Sequence, residues 1–280
     1  DIKNIKKKKI FKQLNLSNTP ILMGIVNLTP DSFSDGGKYN KRKLSINHIN
    51  KLLSSGAKII DVGGESTRPG ANDISSNKEW DRIKTVLKFL KNKKSIVSLD
   101  TRKSFVMEKA SKIKIDLIND VSGLSYDPET INYLKKTKKP FVIHHMQGTP
   151  KNMQIKPTYK NVLLDIYDFF ETRLEYLRKK GIKHNNIILD PGIGFGKNLK
   201  HNITLLKNIS IFHSLGLPVM LGLSRKRFIK DISKENDTKD RIGGTVSSCI
   251  QAYLQGVQIL RIHDVKEINQ AFKVFKELQN

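Results

Sequence analysis

The chain has little of what marks an exported or membrane protein. Among its 280 residues it holds one cysteine, Cys249, so no disulfide can form within it, which is typical of reducing compartments. None of its apolar runs approaches the roughly 20 residues of a membrane-spanning helix. The lysine-rich start is not followed by the apolar segment of a signal peptide. We therefore expect a cytoplasmic protein with no membrane partner.

Acidic residues are scarce relative to basic ones. The chain has 26 Asp and Glu against 51 Lys and Arg, a net charge of +25. Such an excess is compatible with nucleic acid or another polyanion as partner. The lysines, however, are scattered through every segment beside many isoleucines and asparagines, a pattern typical of an AT-rich genome. Genome bias and a selected polyanion surface both stay open, and the scatter favours the first, with no nucleic-acid partner.

No proline- or serine-rich linker divides the chain, and eight short apolar runs alternate with longer amphipathic segments. Near-continuous apolar strands separated by helices indicate a parallel sheet covered on both faces. Eight such units favour a single-domain (β/α)8 TIM barrel at 21–280, behind a basic extension at 1–20. An open doubly wound sheet is the alternative. The runs lie at 21–27, 58–63, 95–100, 115–120, 140–146, 187–192, 218–224 and 258–264.

Polar residues collect at one end of these predicted strands. Side chains two residues apart share a face of a strand, and one face of each run changes from apolar or small to mostly polar at its C-terminal end. In a barrel these ends form the mouth, where barrel enzymes have their active sites. Burying polar groups unpaired costs about 1 to 3 kcal/mol each, so a polar ligand is expected there. The polar residues are Asn27, Asp61, Asp100, Asn119, Asp190, Ser224, Arg261 and His263.

Two cationic donors, Arg261 and His263, share the inward face of the last strand. Neighbouring cations repel, and burying a charge without a partner is costly. A dianionic ligand between them removes both costs, so the empty protein is expected to capture sulfate or phosphate there.

Two connections, after the first and the second strand, are longer than a plain turn requires: "LTPDSFSDGGKYNK" and "GESTRPGANDISSNKE". Loops on a rigid scaffold usually carry function, so both are candidate lids. We expect Glu65, within the second loop, to be structural.

Eight segments closely resemble, in order, the motifs of the bacterial dihydropteroate synthases, a family of pterin-binding enzymes. They span Met23 to Glu267, and their number and order make the resemblance specific. The segments are "MGIVNLTPDSFSDGG", "IIDVGGESTRPGA", "LDTRK", "INDVSG", "HHMQGTP", "LDPGIGFGKN", "GLSRKRF" and "RIHDVKE".

The resemblance implies a (β/α)8 transferase of folate biosynthesis that acts as a homodimer. The family condenses 6-hydroxymethyl-7,8-dihydropterin diphosphate with p-aminobenzoate, releases pyrophosphate and 7,8-dihydropteroate, requires Mg2+, and is the target of sulfonamides. Small molecules would then be the partners of this chain.

Site residues follow from the same resemblance. The pterin would contact Asp100, Asn119, Asp190 and Lys226. The diphosphate and its Mg2+ would contact Asn27, Thr67, Arg261 and His263, with Asn27 as metal ligand. The p-aminobenzoate site would comprise Phe33, Arg68, Pro69, Phe195 and Ser224. Lys226, Asp190 and the loop carboxylate Asp35 are the residues expected to act in catalysis.

Chemistry agrees with two of these roles. The 2-amino and N3–H groups of a pterin form a planar pair of donors that one carboxylate can accept in parallel, which suits Asp190. As the C–O bond to diphosphate breaks, positive charge develops on the pterin methylene, which a loop carboxylate such as Asp35 can stabilise.

Two other readings remain at this point. A pterin-binding methyltransferase on the same barrel would share the Asp and Asn residues but has no use for a diphosphate site. A basic RNA-binding protein would show an affinity that falls steeply with salt.

Overall fold

The computed structural model describes residues 10–11, 14–16, 20–29, 38–67 and 70–279. Within these ranges, ten strands occur: the short β1 (Ile10–Phe11) and β2 (Leu14–Asn15), and eight longer alternating ones. The eight are β3 (Ile21–Asn27), β4 (Ile59–Gly63), β5 (Ile96–Asp100), β6 (Leu117–Asp120), β7 (Phe141–His144), β8 (Ile187–Asp190), β9 (Met220–Gly222) and β10 (Ile259–Ile262).

Helices follow the strands of the sheet in regular alternation, with two between β9 and β10. They are α1 (Lys38–Ser54), α2 (Ser76–Leu90), α3 (Ser104–Ser111), α4 (Glu129–Thr137), α5 (Val162–Lys179), α6 (Leu199–Lys207), α7 (Arg227–Ser233), α8 (Ile242–Leu254) and α9 (Val265–Glu277), with short 3-10 turns at His184–Asn186 and Ile209–Leu215.

The eight strands form one parallel sheet in the order β8-β7-β6-β5-β4-β3-β10-β9. A parallel bridge between Leu189 and Val219 joins its two edges, so the sheet closes on itself. The TIM barrel predicted from the eight apolar runs is confirmed, and each predicted strand overlaps an observed one. The doubly wound alternative is excluded by the closure.

Helix ends follow local sequence. The side chain of Asn161 accepts hydrogen bonds from the backbone of Leu163 and Leu164 at the start of α5, and Gly181, at φ 82°, follows its end. Asp127 accepts from the backbone N–H of Glu129, the first residue of α4. Such caps satisfy backbone donors that the first helical turn leaves unpaired.

Two apolar cores flank the sheet. The larger lies between the strands and the surrounding helices. The smaller fills the barrel, where inward residues such as Met23, Ile59 and Ile188 are buried. Leu14 and Leu16, which lie before β3, pack into this inner core and are almost fully buried. The residues just before β3 therefore help to fill the barrel that carries the site.

Among the helices in the described parts of the chain, none combines the length and apolarity that crossing a membrane requires.

Leu16→Ala should destabilise the protein. Leu16 is 1% exposed, and truncating a buried leucine costs about 2 to 5 kcal/mol because apolar contacts are lost and a cavity remains. Leu44→Ala, at a position 42% exposed, is the matched control and should cost less than about 1 kcal/mol. Denaturant unfolding measures both, and equal losses would show that Leu16 does not support the barrel interior.

Candidate active site

A guanidinium bridges three strands at the barrel mouth. Arg261, on β10, donates from Nε to Asp61 Oδ2 on β4 at 2.6 Å and from Nη2 to Asp100 Oδ2 at the end of β5 at 2.7 Å. Burial acts to lower the pKa of Arg261, but Asp61 and Asp100 outweigh it and raise that pKa. The cost of burying an unpaired Arg261, from which a captured anion was expected, does not arise, because carboxylates on two strands pair with it.

The neighbouring strands extend this polar layer. Asn119 on β6 pairs in register with Asp100, and its Nδ2 donates to Asp61 Oδ2 at 3.3 Å. Burial raises the pKa of Asp100, and Arg261 opposes the rise. The layer thus presents carboxylate acceptors and an amide, groups that can form hydrogen bonds with the edge of a heterocycle.

Asp190, at the end of β8, is 3% exposed. Burial raises its pKa to about 6, and the backbone hydrogen bond from Gly192 together with the charge of Lys226 limits the rise. Gly192 N donates to Asp190 Oδ1 at 2.8 Å. Gly192 has a φ of 71°, and an added Cβ at this position would lie 1.9 Å from the carbonyl oxygen of His145. Glycine is therefore required at this turn, and its N–H orients the Asp190 carboxylate.

Lys226 and Phe195 form the opposite wall. Lys226 Nζ lies 4.2 Å from the centre of the Phe195 ring. Burial lowers the pKa of Lys226 to about 8, and the negative charge of Asp190 opposes this shift. Phe195 packs edge-on against His144, whose Nδ1 lies 3.1 Å from the Val121 carbonyl oxygen. An aromatic face and an ammonium therefore border the same space as the carboxylates.

These groups line one cavity at the mouth of the barrel. Four of the eight polar residues predicted on the inward face line this cavity, namely Asp100, Asn119, Asp190 and Arg261, and Asp61 pairs with Arg261 beside it. The lining residues are Thr67, Asp100, Asn119, Val121, His144, Asp190, Ile193, Phe195, Gly222, Lys226 and Arg261.

The remaining predicted residues are placed less centrally. Ser224 lies beside His263 and accepts from its backbone N–H at 3.2 Å, with the His263 Nδ1 also 3.1 Å from the serine oxygen. Asn27 ends β3 and pairs in register with Gly63. Four predicted residues lie outside the described parts of the chain: Phe33, Asp35, Arg68 and Pro69.

One buried residue next to the site was missed. Lys197 is 3% exposed, and its Nζ lies 3.0 Å from His145 Nδ1 and donates to the Phe195 carbonyl at 2.9 Å. Burial lowers the pKa of Lys197 well below its usual range. It holds the backbone next to the aromatic wall. Sequence reasoning missed it because a lysine after a loop usually indicates a solvated residue.

Residues 23–263 match the family model described as "Pterin binding enzyme". The chain belongs to the pterin-binding enzyme family. It is 40% identical over 270 residues to the dihydropteroate synthase of Escherichia coli strain K12, with 95% of each chain covered. The resemblance inferred from the eight motifs is confirmed.

Solved structures agree with this family assignment. The dihydropteroate synthase of Yersinia pestis in complex with a sulfonamide drug has a TM-score of 0.89 and 41% identity, covering 95% of this chain and 96% of that one. The Xanthomonas albilineans enzyme with 4-aminobenzoic acid has a TM-score of 0.89 and 35% identity, with 95% of both chains covered. The methyltransferase and RNA-binding readings receive no support from these comparisons.

Asp190→Asn should stabilise the empty protein above pH 6. A carboxyl whose pKa rises on folding from 3.8 to about 6 binds its proton more tightly when folded. Its ionisation therefore removes stability as pH climbs from about 4 to about 6, and the loss is constant above that range. The rise corresponds to at most about 3 kcal/mol, a figure that already includes the attraction of Lys226.

Thermal unfolding at pH 8 and pH 4 checks this prediction. The variant should melt at a higher temperature than the unmodified protein at pH 8, with a smaller difference at pH 4. Asp240→Asn, on the exposed surface, should change neither value appreciably. A variant less stable at pH 8 would show that ionised Asp190 supports the fold.

Proposed function

We propose that this chain is a dihydropteroate synthase whose barrel mouth binds the pterin beside the diphosphate and the p-aminobenzoate. It joins 6-hydroxymethyl-7,8-dihydropterin diphosphate to p-aminobenzoate and releases pyrophosphate and 7,8-dihydropteroate. The observation that carries the proposal is the convergence of Asp190, Asn119, Lys226 and Arg261 on one cavity, together with 40% identity to a dihydropteroate synthase.

The pterin is assigned to the floor of this cavity. The buried carboxylate of Asp190 accepts the 2-amino and N3–H donors in parallel, a charge-assisted pair of hydrogen bonds. Asn119 both donates and accepts along the same edge. Lys226, with its pKa near 8, donates to the ring from the side of Phe195. Asp100 completes the set while it remains paired to Arg261.

The diphosphate is assigned to the side of the mouth where β3 and β10 end, with Thr67, Arg261 and His263 as donors. Both of the described Arg261 hydrogen bonds go to carboxylates, and a guanidinium has five N–H donors. The Arg261 side chain is 20% exposed, so it can reach the anion without giving up its two partners.

The residues present fit Mg2+, which the family uses. An added Cβ on Gly63 would lie 3.5 Å from Asp100 Oδ2 and 3.6 Å from Asn27 Oδ1. Asn27 Oδ1 is an oxygen of the kind that Mg2+ prefers, whereas Asp100 Oδ2 already accepts a hydrogen bond from Arg261. No group of three His, Cys, Asp or Glu side chains suited to a metal occurs among the described residues, which fits an ion that takes its other ligands from phosphate and water. When bound, Mg2+ would neutralise charge on the leaving diphosphate.

In the reaction, the bond between the pterin methylene carbon and the diphosphate oxygen breaks, and its electron pair leaves with pyrophosphate. The amine nitrogen of p-aminobenzoate forms the new C–N bond and loses one proton. Arg261, His263 and Thr67 stabilise the leaving anion, and Asp190 holds the electron-rich pterin. Asp35 is proposed to face the cationic methylene.

The p-aminobenzoate is assigned to the outer part of the mouth, between Phe195 and Ser224, with Phe33, Arg68 and Pro69 from the two long loops. The Xanthomonas relative binds 4-aminobenzoic acid and the Yersinia relative a sulfonamide drug. The same pocket is therefore proposed to take sulfonamides in this protein.

A homodimer is also proposed, through an apolar groove between α8 and α9. Val274 is 56% and Leu278 77% exposed, and Val246, Ile250 and Ala271 line the same groove. A second copy of the chain would bury this surface.

A cytoplasmic location is also proposed. The lone Cys249 is buried as a free thiol, and a chain without disulfides is typical of reducing compartments.

Two variants separate the pterin and diphosphate assignments. Asp190→Asn should weaken binding of a diphosphate-free pterin by about 1.5 to 3 kcal/mol, the range for a hydrogen bond to a charged group, and leave pyrophosphate binding unchanged. Asn27→Ala should remove the gain in pyrophosphate affinity that Mg2+ provides and leave pterin binding unchanged. Calorimetric titration of both ligands, with and without Mg2+, checks each expectation.

Each variant serves as the control for the other. Loss of both ligands in either variant would mean that the residue supports the mouth as a whole, and the two-part assignment would be wrong. The activity itself is tested by following pyrophosphate release from the pterin diphosphate and p-aminobenzoate, and no release with Mg2+ present would refute it.

A further inference from the structure

The turn after β8 carries Phe195 to the cavity, and little in the turn itself can hold this residue in place. Residues 192–197 read "GIGFGK", and the three glycines have positive φ values of 71°, 81° and 61°. Glycine adopts such backbone conformations because it has no Cβ, but it loses more conformational freedom on folding than any other residue. The position of Phe195 therefore depends on side chains that form hydrogen bonds with the turn.

The amino group of Lys197 is one of these contacts. Its Nζ donates to the Phe195 carbonyl oxygen at 2.9 Å and to the His145 carbonyl oxygen at 3.5 Å, and it lies 3.0 Å from His145 Nδ1. A lysine amino group provides up to three donors, enough for these three acceptors. Because His145 directly follows β7, this single atom joins the turn to the neighbouring strand.

Lys197 is costly to bury. It is 3% exposed, and burial lowers its pKa well below the usual range of a lysine, with Asp190 opposing the shift and Lys226 adding to it. The three acceptors are two carbonyl oxygens and a ring nitrogen, none of which carries a negative charge. Lysines are almost never fully buried unless they are paired with an opposite charge. Its contacts therefore indicate a geometric use for this lysine more than a gain in stability.

The turn packs against Lys226. The centre of the Phe195 ring lies 4.2 Å from Lys226 Nζ, an arrangement in which the face of the ring attracts an ammonium. An added Cβ on Gly194 would lie 3.2 Å from Lys226 Cδ, so the backbone of the turn lies along the stem of the same side chain. The ring and the backbone together restrict where the Lys226 ammonium can lie in the cavity.

Neutral hydrogen bonds hold the turn on either side of its aromatic residue. Gly194 N donates to Asn202 Oδ1 at 2.8 Å, and Tyr159 Oη donates to the Gly196 carbonyl oxygen at 2.8 Å. The backbone carbonyl between these two glycines is the one that Lys197 contacts. Loss of the Lys197 amino group would therefore free the part of the turn that carries the ring.

We propose that Lys197 is a positioning residue for the pterin: by joining the Phe195 carbonyl to His145 it holds the 192–197 turn against Lys226 and so fixes the direction in which the Lys226 ammonium points. The inference rests on the proposed assignment of Lys226 to the pterin. It assigns no contact with substrate to Lys197. Small displacements of a group that binds or orients a substrate are costly.

The test uses Lys197→Met and Gly196→Ala. Met lacks the donors of Lys197, so the three acceptors lose them. At Gly196 an added Cβ would lie 2.7 Å from the Gln147 carbonyl oxygen, which displaces the turn without changing a charge. Lys200→Met is the control, because it makes the same substitution at an exposed position of α6. If Lys197→Met does not fold, Lys197→Gln replaces it, since Gln keeps two donors.

Two quantities are measured: amide hydrogen exchange over 192–198 in the substrate-free protein, and calorimetric affinity for 6-hydroxymethylpterin and for pyrophosphate with Mg2+, at pH 6.5 and pH 9. Exchange should be faster in Lys197→Met and Gly196→Ala. At pH 6.5 both should bind the pterin about tenfold more weakly, as for one lost hydrogen bond to a charged group. Pyrophosphate affinity should stay within about twofold, and Lys200→Met should match the unmodified protein.

The loss of pterin affinity should be smaller at pH 9. Burial lowers the pKa of Lys226 to about 8, Asp190 opposes this shift and Arg261 adds to it. The ammonium is the form that donates to the pterin, so the unmodified protein loses affinity as the pH rises above 8.

A displaced turn exposes Lys226 and raises its pKa toward about 10.4, the value of a free lysine. The variants then keep their affinity at pH 9, and their difference from the unmodified protein should fall to about twofold or less. The ionisation of the ligand cancels in this difference, because the same ligand is used for each protein. A general structural defect would give the same difference at both pH values.

Unchanged exchange over 192–198, an equal loss of both ligands, or a loss of pterin affinity that is the same at pH 6.5 and pH 9 would each overturn the proposal. A loss confined to Lys197→Met would also overturn it, because the effect would then come from the lost amino group itself and not from the position of the turn.

Lys226→Met tests the assignment on which the inference rests. If its pterin affinity at pH 6.5 equals that of the unmodified protein, the assignment of Lys226 to the pterin fails whatever Lys197 does. If its pterin affinity falls while Lys197→Met and Gly196→Ala behave like Lys200→Met, the assignment of Lys226 stands and the positioning role of Lys197 is wrong.

Discussion

The arrangement of the mouth depends on the buried ion pairs of Arg261 with Asp61 and Asp100. One guanidinium, on the last strand of the barrel, contacts carboxylates from two strands that lie far from it in sequence. A charge in such a place is tolerated only with partners. Because Asp100 and Asp61 both pair with Arg261, the sides of the site proposed for the pterin and for the diphosphate have a defined relation to each other.

The site retains charges that a purely structural core would not. Burial raises the pKa of Asp190 and of Asp100, and lowers the pKa of Lys226. Each shift means that the charged form of the group is less stable in the empty mouth than in water. A ligand that supplies donors to the carboxylates recovers this free energy on binding. The free-energy cost of the buried charges in the empty mouth therefore adds to the affinity for such a ligand.

The inward face of each strand could be predicted from the sequence, because it follows from the alternation of side chains along the strand. Strand alternation placed Asp100, Asn119 and Asp190 on one face, and parallel strands bring their C-terminal ends together. The hydrogen-bond and ion-pair partners of each residue could not be predicted from the sequence. Arg261 and Asp61 are 200 residues apart, and nothing in either motif signals which charges meet across a closed barrel.

Two further features show the same limit. Lys197 carries no sequence signal of burial, since its contacts arise from a glycine-rich turn that folds over His145. The structural role expected for Glu65 agrees with its burial, but the hydrogen bonds that Arg102 donates to Glu65 and Asp73 depend on how the loop after β4 packs on the end of β5. Sequence patterns describe the faces of elements, and such contacts between loops depend on their three-dimensional packing.

The central claim is that ligand binding recovers the free energy of a buried, unfavourably ionised carboxylate at Asp190. The most direct measurement is the number of protons released when 6-hydroxymethylpterin binds, from calorimetry in buffers of different ionisation enthalpy. With the Asp190 pKa near 6, the unmodified protein should release about 0.9 proton more than Asp190→Asn at pH 5, and about 0.1 more at pH 7. Equal proton release by the two proteins at pH 5 would contradict the claim.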